Sequence, residues 1–344
     1  MNSIEFETRL AELRLTFYRH PPVDILREGF RPVSGQVGDM CVIEHQGRYH
    51  FFYIERRLLE ATPFFPGNEI YFGHASTANL VDWEVHDPVL LVRPGTWEEA
   101  HVWAPFVFRY QGRFVMAYTG VNRHLSQNIG LAESDDLFTW RRFDTNPIYP
   151  ARNRPWSYWR EDCIASCRDP HLLEHDGRIW MTYTANTREG ASCIALASTD
   201  DLVHWEDHGP ILVGPKDGYQ VEQEISRQRV FGNGRPQGQL ESSNLLYRNG
   251  RWYLFFQSHF PGSQGRNWVC ESAHMECFSL DKKREFWPGA YTVEIVKECG
   301  SRALLACTGP IRFGTVDWAD EQPVARFISN VDELKAWQDC QATR

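Results

Sequence analysis

No run of 18 apolar residues occurs in this 344-residue chain, whereas a membrane-spanning helix needs about 20. The first residues, Met1-Asn2-Ser3-Ile4-Glu5-Phe6, also lack the apolar core of a secretory signal. A cytoplasmic protein with no membrane partner is the expectation. Basic charge is in short supply, with 36 Lys and Arg against 45 Asp and Glu for a net charge of −9. That balance gives no phosphate-tracking surface and excludes nucleic acid as the main partner. Cysteine occurs nine times, an odd number at irregular spacing, which fits reduced thiols better than a disulfide framework. Cys163 and Cys167 stand four apart, but no second Cys or His pair completes a zinc pattern. No metal ligand is therefore named, although a structural cation in a channel stays open, as does the oligomeric state.

What the chain has in plenty is aromatic side chains, at 14% of residues, as strand-rich proteins and sugar binders do. They recur in a pattern. Tyr49 to Tyr53, Phe114 to Tyr118, Arg178 to Thr184 and Trp252 to Phe256 each follow a turn glycine, at Gly47, Gly112, Gly177 and Gly250. Each reads as the returning strand of a hairpin. Eight or nine residues before those glycines stand Asp39, Trp103, Asp169 and Glu241. Three of the four are carboxylates at nearly equivalent places, so units arranged about one axis bring them together at one end.

A second signature follows each of the first three hairpins: Ala75 to Trp83, Ala132 to Trp140 and Ala197 to Trp205, each with an Asn- or Asp-rich turn before the Trp. Third and fourth strands are implied. Trp83, Trp140 and Trp205 read as packing residues. Unit one is longer by about eight residues, placed within Glu55 to Asn68 around Pro63-Phe64-Phe65-Pro66. A fourth unit diverges after Ser258, and a fifth, weaker one runs from Tyr291 to Ser329. Five four-stranded units predict an all-β fold, a five-bladed β-propeller over 37–329, with a lead-in over 1–36 that includes a helix-like stretch from Phe6 to Phe17, and a tail over 330–344. The repeat of 65 residues between turn glycines is longer than the roughly 40 to 45 of scaffold propellers; large inter-blade loops account for the excess. First strands of blades line the channel, so function is expected at its mouth.

Three carboxylates in a confined site pull their pKa values apart. Glycoside hydrolysis needs that division, one protonated carboxyl for the leaving oxygen and one ionised carboxylate as base or nucleophile. Asp39, Trp103-Ala104-Pro105, Arg168-Asp169-Pro170 and Glu241 with its following strand resemble the five-bladed propeller glycosidases of glycoside hydrolase families 43 and 32, over roughly residues 36 to 328. Trp-Ala-Pro and the Glu241 segment look like the arabinofuranosidases and xylosidases of family 43. Tyr118-Thr119-Gly120, Gln127 to Trp140 and Arg-Asp-Pro look like the fructan hydrolases of family 32. The resemblance implies that Asp39 is the base or nucleophile, that Asp169 holds substrate hydroxyls and stabilises the transition state, and that Glu241 is the general acid. Glu222 and Glu224 compete with Glu241 but lack its turn glycine and strand.

Arg168 is a candidate for hydrogen bonds to sugar oxygens or a carboxylate. Trp103, His101, and the loop residues Trp156 and Trp159 with Tyr158 are candidate substrate contacts, the loop aromatics reading equally as a packing plug. His171 and His259 are weaker candidates near the channel. The expected activity is hydrolysis of a terminal, arabinose- or xylose-type furanosyl residue from a small oligosaccharide. A β-fructosidase is the first alternative, followed by a non-catalytic sugar-binding propeller and by a protein-interaction scaffold.

Overall fold

The structure, a computed structural model, describes residues 24–32, 35–56, 67–163, 165–215, 239–260, 263–319 and 322–337. The helix-like stretch Phe6 to Phe17, the Pro63-Phe64-Phe65-Pro66 loop and the rival acids Glu222 and Glu224 lie outside the described residues, as does the side chain of His259.

Five four-stranded antiparallel sheets make the fold, each cut from one uninterrupted stretch of chain. The first blade holds β1 (Gln36–His45), β2 (Arg48–Arg56), β3 (Phe72–Thr77) and β4 (Glu84–Val89). The second holds β5 (His101–Tyr110), β6 (Arg113–Val121), β7 (Gln127–Ser134) and β8 (Arg141–Arg142). In the third are β9 (Cys167–His175), β10 (Arg178–Asn186), β11 (Ser192–Thr199) and β12 (Glu206–Val213). The fourth comprises β13 (Leu240–Arg248), β14 (Arg251–Phe260), β15 (Ser263–Ser272) and β16 (Arg284–Glu285), and the fifth β17 (Tyr291–Cys299), β18 (Arg302–Thr308), β19 (Arg312–Asp317) and β20 (Arg326–Phe327). This is the five-bladed propeller that the repeat predicts.

Local chemistry explains the two recurrent turns. The first four β-hairpins close on Gln46-Gly47, Gln111-Gly112, Asp176-Gly177 and Asn249-Gly250, all eight residues at positive φ, the geometry whose twist matches that of the flanking strands. The Asp-rich turns are held by side chains. Hydroxyls of Thr77, Ser134 and Thr199 accept the N–H of Leu80, Leu137 and Leu202 at 2.8, 2.9 and 3.0 Å. Asn79, Asp136 and Asp201 accept the two N–H groups that follow each leucine. Each leucine is buried in the left-handed conformation, so the turn drives an apolar side chain inward.

The core is not one mass but five, each filling the gap between neighbouring blades. Middle strands are accordingly buried on both faces, as in β2 and β11. Trp83 stacks on Phe30 at 4.1 Å, Trp140 meets Phe52 edge-on, and the indoles of Trp140 and Trp205 donate to the carbonyls of Leu137 and Leu202. All three pack as expected.

Among the described residues no strand is shared between the last blade and the first. Among those residues the ring closes through the core between them and through one bridge, in which Phe30 and Ile311 exchange N–H to O bonds of 2.8 and 2.9 Å. A short helix α1 (Ile25–Glu28), capped by Asp24, delivers Phe30 to this seam. Helix α2 (Val331–Ala336), capped by Asn330, sets Leu334 and Trp337 into the same core.

One expectation is corrected. Seven cysteines among the described residues are free thiols, but Cys299 is disulfide-bonded, its partner lying outside the described residues. It stands half-buried at the hairpin end of β17, and cysteine spacing alone does not reveal the pairing. Among the described residues no helix is long and apolar enough to cross a membrane.

Candidate active site

Every innermost strand breaks its ladder at the same height. Register shifts fall between Val37 and Met40, Trp103 and Phe106, Arg168 and His171, Glu241 and Asn244, and Tyr291 and Glu294. Such bulges re-aim side chains. In four blades the residue after the last regular pair is left-handed: Ala104 (φ 46), Asp169 (φ 56), Ser242 (φ 51) and Thr292 (φ 45). The first blade makes its irregularity with Gly38 and Asp39 instead.

These bulges refine the predicted equivalence of the carboxylates. Counted back from the hairpin turns, Asp39 and Asp169 occupy the same place. Glu241 lies one residue earlier, in register with Arg168, each forming the last ladder pair before its bulge, with Gln257 and Thr184 respectively. The consequence is a ring in which Trp103, Arg168, Glu241 and Tyr291 occupy corresponding positions on four blades.

The three carboxylates are joined by two neighbours. Ser242 links the aspartates: its hydroxyl donates to Asp39 Oδ2 at 3.2 Å and its backbone N–H to Asp169 Oδ2 at 3.0 Å. Arg168 joins Asp169 to Glu241, with Nε 3.4 Å from Asp169 Oδ2 and Nη2 3.6 Å from Glu241 Oε2. The guanidinium is itself fixed by Ser166 Oγ at 2.8 Å and Gln127 Oε1 at 3.3 Å. Thr184 donates to Asp169 Oδ2 at 3.3 Å, and the Asp169 N–H donates to Thr119 Oγ1 at 3.0 Å. Burial pushes the Asp169 carboxyl above its ordinary pKa; Arg168 opposes the rise and the charge of Glu241 adds to it.

Sequence reasoning did not single out Tyr291, whose hydroxyl donates to Glu241 Oε1 at 2.9 Å, nor Ser242, nor Glu294. Glu294 lines a central cavity of about 30 Å³ together with Asp39, Asp169 and His171. Alignment of Tyr291-Thr292-Val293-Glu294 with Glu241-Ser242-Ser243-Asn244 was the available signal, hidden because the fifth unit repeats weakly.

The other predicted contacts are anchored within the protein. His101 is buried, its Nδ1–H donates to the Asn68 carbonyl at 2.9 Å, and its ring stacks on Trp103 at 5.4 Å. Trp103 is 8% exposed and belongs to the second inter-blade core. Trp156 and Trp159 pack against the third core, their indoles donating to Asp207 Oδ2 at 2.9 Å and to the Gln127 carbonyl at 2.8 Å. The packing-plug reading describes their placement. His171 borders the cavity with its ring 4.2 Å from Phe106, and burial pushes its pKa down to about 3, so it is neutral. Among the described residues no group of three or more His, Cys, Asp or Glu is placed to hold a metal ion.

Five blades around a channel with a carboxylate cluster built on inner-strand bulges define a five-bladed propeller of the glycoside hydrolase kind. Within it, this chain belongs to the glycosyl hydrolases of family 32, matching the family 32 N-terminal domain over residues 38–224. A bifunctional 6(G)-fructosyltransferase/2,1-fructan:2,1-fructan 1-fructosyltransferase of Allium cepa is 32% identical over 234 residues, 58% of this chain and 37% of that protein. Sucrose-6-phosphate hydrolase of Bacillus subtilis (strain 168) is 26% identical over 204 residues, again 58% and 37%. The matches thus span little more than a third of these curated relatives. Among solved structures, a GH32 β-fructofuranosidase of Bombyx mori superposes with TM-score 0.66 at 15% identity, covering 96% of this chain and 70% of that one. A thermostable family-43 glycoside hydrolase superposes with TM-score 0.58 at 15% identity, covering 87% and 96%. At such identities these superpositions speak for the fold alone.

Proposed function

We propose that the protein hydrolyses a terminal β-fructosyl residue from sucrose or a short fructan. The observation that carries this reading is the Asp39, Asp169 and Glu241 cluster joined by Ser242 and Arg168, in a chain of family 32. The arabinose- or xylose-type expectation gives way here, because its support is a likeness of fold, whereas the relatives in sequence are named for fructosyl transfer and sucrose-6-phosphate hydrolysis.

Glu241 acts as the general acid, delivering its proton to the glycosidic oxygen as the bond to the fructosyl anomeric carbon breaks. Asp39 acts as the nucleophile and takes up that carbon. Water, deprotonated by the now ionised Glu241, then releases fructose and regenerates both groups. Asp169 holds hydroxyls of the fructosyl ring and bears on the acid through Arg168, which touches both carboxyl groups. Tyr291 fixes one Glu241 oxygen.

Proton NMR of the protein with sucrose, a fructo-oligosaccharide, an arabinofuranoside and a xyloside tests this directly. Fructose is expected from the first two, with Glu241→Gln slower by about 10²- to 10⁴-fold, the usual worth of a general acid. Release of arabinose or xylose instead would restore the family 43 type of substrate. Binding without turnover by parent and variant alike would favour a sugar-binding propeller.

A further inference from the structure

The fourth carboxyl group of the channel, on Glu294, has no part in the mechanism above. We propose that Glu294 is a positioning residue for Asp39, its carboxyl O–H donating a hydrogen bond toward Asp39 across the cavity that both side chains line. The inference rests on the reading of Asp39 as the nucleophile.

The β17 bulge between Tyr291 and Glu294 brings Glu294 to the cavity wall. At about 30 Å³ the cavity has room for one water molecule, enough to relay a hydrogen bond between two carboxyl groups. Its other walls carry few ionisable groups. The first blade presents Asp39 and Met40, with the buried Cys41 thiol, whose own pKa is pushed up by burial, behind them. The second presents Ala104, Pro105 and Phe106; the third, Asp169 and neutral His171; the fourth, Ser242 and Ser243. Among the described residues no cation lines the cavity, and Arg168 lies against Asp169 and Glu241 instead. Burial first, and then the charge of Asp39, hold the Glu294 carboxyl well above its ordinary pKa. A protonated acid facing an ionised one is the arrangement that carboxyls in one confined site adopt. A hydrogen bond received by Asp39 favours its ionised form, the form a nucleophile needs.

Two variants separate donation from shape. Glu294→Gln keeps a donor and removes the titration, whereas Glu294→Met keeps the length and removes the donor. The acidic limb of the kcat/KM profile, which reports Asp39, is expected to stay in place in Glu294→Gln and to move up by about one pH unit in Glu294→Met. An unmoved limb in Glu294→Met, or equal movement in both variants, overturns the proposal. Infrared spectroscopy of the parent and Glu294→Gln at neutral pH gives a second readout that needs neither turnover nor the Met variant. A carbonyl band of a protonated carboxyl that is present in the parent and lost in Glu294→Gln is expected; no such band in the parent, or a band of equal strength in both, overturns the proposal. Should no fructoside be cleaved, the functional reading falls while the infrared result still decides the state of Glu294.

Discussion

Arg168 shows how much one side chain can be asked to do. Its guanidinium touches Asp169, Glu241, Ser166 and Gln127 while only 7% of the side chain is exposed. A planar fork meets four partners at fixed angles, and an ammonium group at the same place does not. Arg168→Lys is therefore expected to keep the charge, fold normally and lose about ten- to hundredfold in kcat, with KM changed less; initial rates on sucrose read this out. Ala104 offers a backbone counterpart. Its φ of 46 lies in the left-handed region and it carries no polar group, so Ala104→Gly should relieve strain and raise stability by about 1 kcal/mol in urea titration.

At the scale of the element, three of the first blade's four histidines cluster on three adjacent strands. His50 Nδ1 lies 3.0 Å from His74 Nε2, the His74 and His86 rings are 4.6 Å apart, and His86 Nε2 lies 2.8 Å from Ser76 Oγ. Burial, then the charge of His86, pushes His50 down to about 4 and His74 to about 2. In the unfolded chain the same imidazoles protonate near 6.5. Below that value the unfolded state binds more protons, so stability is full above about pH 6.5 and falls as pH drops toward 4. Chemical denaturation between pH 7 and 5 should show this fall, and His74→Phe, which removes one of the protons, should flatten it. Neither this cluster nor the bulges could be read in the sequence, because both depend on which residue faces which across strands. The hairpins and Asp-rich turns could, since a Gln-Gly or Asn-Gly pair and a Thr-x-Asp-Leu run contain their own hydrogen-bonding logic. Asp39, Asp169 and Glu241 stood out because each begins such a legible hairpin. Glu294 did not, because its blade departs from the pattern, and Trp156 and Trp159 stayed divided between sugar platform and packing plug because no sequence rule assigns a loop indole to an inter-blade seam.

In the whole molecule, five cores in a circle mean that no blade is stable alone, since each supplies half of two apolar interfaces. Four of those interfaces join consecutive stretches of chain; the fifth joins the ends. Phe30 is 4% exposed, stacks on Trp83 and carries the only backbone bridge between the described residues of its segment and the last blade. Phe30→Ala is expected to cost about 3 to 5 kcal/mol, more than an equivalent truncation at a surface turn, as measured by the denaturation midpoint.

Because each sheet is cut from its own stretch of chain, the propeller is a bracelet held by a clasp rather than a seamless band. Asp39 sits on one side of that clasp and Glu294 on the other, with Glu241 on the next blade round. Mild heat or denaturant that springs the clasp would part these groups while all five sheets persist. Activity should therefore vanish ahead of the circular dichroism signal, and return as soon as the two ends find each other again.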